Sequence, residues 1–112
     1  MTLNEYGELC HKANQKWWPS DVRTRNKGEA IALMHSELSE ALEGERKDLM
    51  DEKLPHRKAA EVELVDCLIR IFDYAFAFGY DLEGAFHEKM KYNSVREDHK
   101  LENLMKEGGK KF

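Results

Sequence analysis

Apolar positions along this chain recur at helical spacing in four stretches, and no stretch alternates convincingly at period two. The first stretch opens with Thr2-x-x-Glu5, the pattern of a capping box, and continues as Leu3, Tyr6, Leu9/Cys10, Ala13 and Trp17 until Pro19 ends it. A polar segment from Ser20 to Lys27 follows and carries Arg23, Arg25 and Lys27. The second helix is predicted from about Gly28 to Asp48, with Ala30, Ile31, Met34, Leu38, Ala41 and Leu42 as its apolar face. A loop from Leu49 to Arg57, containing Pro55, leads to a third helix from about Lys58 to Phe78. Gly79 fits the residue just past that helix, Asp81 fits the next N-cap, and a fourth helix is predicted from about Leu82 to Lys106. The fold class is therefore all-α: a four-helix bundle in one domain over residues 1–106, with residues 107–112 expected to fray as a flexible tail.

The third helix departs from the pattern of a surface helix. It is apolar nearly all round, and its polar groups past Glu61 fall in one strip of Glu63, Asp66, Arg70 and Asp73. A helix of that kind is expected to be buried, so the strip should face an internal polar cavity or a metal.

With 112 residues the chain is long enough for a core of its own. Its 36% charged residues and net charge of −4 give a heavily charged surface without the basic patch that nucleic acid requires. The third helix is too interrupted by charge to span a membrane, and the N-terminus lacks a basic, then apolar leader. Cys10 and Cys67 fall on apolar helix positions and read as buried free thiols. A cytoplasmic protein without nucleic-acid or membrane partners is expected.

The candidate chemistry lies in two carboxylate pairs, Glu37-Leu-Ser-Glu40 and Glu63-Leu-Val-Asp66. Spacing of three residues puts both acids of a pair on one helix face. Glu37 and Glu40 lie at the edge of the second helix's apolar face, and Glu63 and Asp66 lie in the strip of the third. Four such acids repel one another unless a cation compensates them. Oxygen-only donors suit Mg²⁺, with Mn²⁺ as a substitute, rather than Zn²⁺. Arg70 reads as an internal counter-charge for the strip. Asp73 is left open between a further ligand and a supporting group. On the fourth helix Lys89, Asn93 and Arg96 share one face and suit phosphate oxygens, or else a solvated surface. Trp17 and Trp18 point about 100° apart on a helix, so either one packs and the other is available to a nucleobase, or both are anchoring aromatics of the core. His11 shares a face with Asn14 and Trp18, and reads as a solvated histidine or as part of a polar pocket wall.

These motifs resemble the MazG-like nucleoside triphosphate pyrophosphohydrolases of the all-α NTP pyrophosphatase superfamily. The likeness runs from about Ala30 to His99 through Glu37-Leu-Ser-Glu40, Glu63-Leu-Val-Asp66 and Lys89-Met-Lys-Tyr-Asn93-Ser-Val-Arg96. It implies Mg²⁺-dependent cleavage of a (d)NTP to (d)NMP and pyrophosphate, in nucleotide-pool control or sanitation. By that likeness Glu37, Glu40, Glu63 and Asp66 would hold metal, and Glu37 or Glu40 would orient the attacking water. Lys89, Asn93 and Arg96 would meet phosphate or sugar, and His11, Trp17 and Trp18 would line the base pocket. Homodimers or homotetramers are implied, with pockets near subunit interfaces. The chain departs from the family's usual Glu-Glu-x-x-Glu in having Ser36 at the first position. The rival reading is a non-catalytic helical module that oligomerises or binds a structural cation.

Overall fold

The computed structural model describes the backbone of residues 1–105 and the side chains of residues 1–96. The expectations for Lys106 and for the tail 107–112 lie outside the described residues. The described chain is all-helical, as the periodicity requires: α1 (Leu3–Asn14), α2 (Lys27–Lys47), α3 (Ala59–Ala77) and α4 (Leu82–Met105), with 3₁₀ turns at Gln15–Trp17 and Val22–Thr24. It divides into two compact units, one from Met1 to Tyr80 and one from Asp81 onward.

Helix starts follow the capping chemistry. Thr2 and Glu5 form a reciprocal capping box at α1, and the Asn26 side chain accepts the Glu29 N–H at α2. Glu61 accepts the Lys58 N–H at the start of α3. The Asp81 side chain accepts the Gly84 N–H at 3.0 Å, which makes it the N-cap of α4. Gly79 has φ 71°, the left-handed conformation that ends α3 as predicted.

In the first unit α3 is the central element, with α1 and α2 both packed on it. The α1–α3 approach is close because position 7 is glycine: a Cβ there would stand 3.0 Å from the Phe72 carbonyl oxygen. Beside it the Tyr6 and Phe72 rings stack at 5.8 Å. Opposite, the Cys67 thiol lies 3.5 Å from the Met34 carbonyl oxygen of α2. The buried apolar residues are all small: Ala30, Ala41, Ala60, Cys67 and Ala75. Small residues let the helix backbones approach, while the larger apolar side chains among the described residues are half-buried or exposed. The expectation that α3 is buried all round therefore does not hold within this chain: Leu64, Val65 and Leu68 are each about half exposed.

The α2–α3 connection is ordered by Asp51, whose carboxylate accepts the N–H groups of Lys53 and Leu54. A Met50–Lys58 bridge closes the loop. Among the described residues no helix is long and apolar enough to cross a membrane.

Candidate functional site

The two carboxylate pairs meet where α2 packs on α3. Glu37, Glu63 and Asp66 are half-buried, and each offers a carboxylate oxygen within 4.8 Å of the other two. Glu63 Oε2 is shut off from solvent and has no hydrogen-bond donor. Its near neighbours are acids instead. Burial first, and then Glu37, Glu40 and Asp66, push the Glu63 carboxyl up to about 8. Asp66 is also raised, chiefly by burial and by Glu37, while Arg70 opposes the shift.

Glu40 lies outside the tight trio on the exposed side of α2, yet its charge still acts on Glu63. Arg70 crosses to α2, where its Nε donates to Glu37 Oε1 at 3.1 Å. It thus ties the two helices together as well as countering the charge on α3. Ser36 takes no part: its hydroxyl donates to the Leu33 carbonyl one turn back, at 2.6 Å.

A cleft of about 650 Å³ opens beside the trio, with Glu37, Asp66 and Arg70 in its lining. Its wall continues to Asn14, Trp17, Trp18, Arg25 and Tyr74. On the other side of the acids a second hollow is lined by Glu40, Asp51, Glu63 and Asp66. Asp66 belongs to both, so the acids stand between two open recesses.

Asp73 is buried and is not part of the acidic trio. Its Oδ2 accepts the Trp18 Nε1–H at 2.9 Å, and its Oδ1 is 2.7 Å from His11 Nδ1. Both oxygens are engaged by protein groups, which makes it an anchor for the aromatic end of the cleft. His11 stands behind that wall, edge-on to Trp18 and packed against Phe76, and does not itself line the cleft. One tryptophan packs and the other is exposed, but not through α-helical spacing: Trp17 ends the 3₁₀ turn and Trp18 is extended. Trp18 packs, whereas Trp17 is 70% exposed with its side chain at the cleft.

Lys89, Asn93 and Arg96 lie on α4, in the second unit. Lys89 and Arg96 are exposed and Asn93 is half-buried.

The sequence alone assigned no role to Asp51 or Arg25. The turn-forming Asp51-x-Lys53-Leu54 was the available signal for the first, since an Asp turn fixes its own carboxylate. Arg25 carried no signal beyond residue type, whereas Asn14 lines the cleft as its shared face with Trp18 suggested. The chain matches no protein-family model, no curated protein and no solved structure.

Proposed function

We propose that this protein is a divalent-cation-dependent nucleoside triphosphate pyrophosphohydrolase of the MazG-like kind, which cleaves a (d)NTP to (d)NMP and pyrophosphate. The observation that carries this reading is the partnerless Oε2 of Glu63, held among Glu37, Glu40 and Asp66 between the two recesses. Once ionised, acids grouped in this way repel one another unless a cation joins them. The donors are all carboxylate oxygens, which fits Mg²⁺ or Mn²⁺. Glu37, Glu63 and Asp66 would hold the ion, with Glu40 at its exposed side. Bound there, the ion would neutralise phosphate charge and increase the acidity of a water.

The remaining work falls to the chain's own groups. Glu37 already accepts a hydrogen bond from Arg70, so one of its oxygens is engaged. Glu40 has no cationic partner among the described residues, so it is the acid placed to orient a water and take its proton. The water oxygen bonds to phosphorus, and the α–β bridging P–O bond breaks. From Asp66 to Asp73 along α3 is two turns, about 10 Å. That separation between acids and aromatic wall suits a nucleotide with phosphates at the trio and base near Trp17. The resemblance assigns phosphate and sugar contacts to Lys89, Asn93 and Arg96. A second copy of the chain covers the exposed apolar faces of α2 and α3.

Product analysis tests the reaction. Each nucleotide of a (d)NTP panel, incubated with Mg²⁺ or Mn²⁺ and resolved by ion exchange, is expected to give monophosphate and pyrophosphate for at least one base. Diphosphate with orthophosphate, or no turnover at all, contradicts it.

A further inference from the structure

Two guanidinium groups line the cleft, and they differ in what they already bind. Arg70 commits its Nε to Glu37. The Arg25 guanidinium makes no hydrogen bond or ion pair among the described residues. It lies over the Trp18 ring instead, 4.6 Å from the centroid. That ring is itself fixed, since Asp73 holds its Nε1–H and His11 and Phe78 pack edge-on against it. Arg25 is therefore a cation seated on a rigid platform, with its in-plane donors uncommitted. It sits at the aromatic end of the cleft, next to the exposed Trp17 and the Asn14 amide. Trp17 offers a face for stacking but cannot tell bases apart, because every base has a face.

We propose that Arg25 reads the base edge, and that the cleft takes nucleotides whose base presents two adjacent acceptors. The inference rests on the hydrolase reading above for its placement of phosphates at the acids. The parallel N–H donors of a guanidinium match two neighbouring acceptors. Guanine supplies such a pair in O6 and N7, and cytosine in O2 and N3. Adenine pairs its N7 with an amino donor. Thymine and uracil set an N–H between their carbonyls.

The test compares kcat/KM for dATP, dCTP, dGTP and dTTP, alongside calorimetric binding of the four monophosphates, in wild type, Arg25→Ala and Arg25→Lys. The wild type is expected to favour dGTP or dCTP by about tenfold or more, and the panel shows which of the two. Arg25→Ala should collapse that ratio. So should Arg25→Lys, which keeps the charge but lacks the fork. Circular dichroism melts confirm folding of both variants. A wild type that favours dATP or dTTP, or variants that keep the wild-type ranking, overturns the assignment. If nucleotides are cleaved without base preference, Arg25 is wrong and the hydrolase reading stands. If the monophosphates bind with an Arg25-dependent preference but no nucleotide is cleaved, the hydrolase reading falls and Arg25 stands. If nothing binds or is cleaved, both fall.

Discussion

The carboxyl of Glu63 is pushed up to about 8 because Oε2 has lost its water and the groups around it are acids. An acid raised in this way binds its proton more tightly in the folded protein than in the unfolded chain. Its contribution to stability is complete below the ordinary carboxylate range and is lost as pH rises through about 8. Asp66 is shifted in the same direction. Denaturant unfolding of the cation-free protein at pH 5, 6.5 and 8.5 is therefore expected to give falling stability. Added Mg²⁺ should restore most at the highest pH, where the site is most ionised and most in need of a cation. Stability that stays flat or rises over that range would contradict this description of Glu63.

At the scale of elements, α3 carries the site with one polar strip divided between two tasks. Glu63 and Asp66 join Glu37 of α2 in the acidic trio, while Asp73, two turns on, anchors His11 and Trp18. Asp73→Ala leaves both of those donors without their acceptor in a buried place. It is expected to destabilise the fold by about 3 kcal/mol, measured by urea unfolding. A loss under about 1 kcal/mol would show that the anchor is not needed. The sequence made the strip visible because polar residues stand out on an apolar helix. It also made the helix starts visible, since the Thr2–Glu5 and Asp81–Gly84 contacts are local. What stayed hidden is tertiary. Arg70 reaches Glu37 across 33 positions, and Asp73 meets partners 62 and 55 positions away. No periodicity encodes such pairings. The 3₁₀ turn at Gln15–Trp17 likewise ends α1 before the tryptophans, three residues earlier than the apolar stripe suggested, because helical spacing looks alike over a short overlap.

At the scale of the molecule, the described residues contain no fully buried large side chain, and the buried apolar set is alanine and cysteine. Leu38 and Leu42 on α2 and Leu64 and Leu68 on α3 are each about half exposed. Burying a leucine is worth about 2 kcal/mol, so faces of this kind favour association with a second copy. Sedimentation velocity is expected to give two or four times the 13.1 kDa chain mass. Leu68→Glu should shift the population to smaller species. A wild type that remains monomeric at tens of micromolar would contradict the assembly.

The central claim is that the carboxylates gathered around Glu63 form a cation site that serves pyrophosphate release. It is tested most directly by following pyrophosphate from the preferred nucleotide against Mg²⁺ concentration, in wild type and in Glu63→Gln with Asp66→Asn. The account predicts a saturable Mg²⁺ dependence in the wild type. It also predicts a loss of about a hundredfold or more in the variant, which should still fold because removing repelling charge does not harm the packing. A folded variant that releases pyrophosphate at the wild-type rate, or a wild type whose rate ignores Mg²⁺ and Mn²⁺, would contradict it.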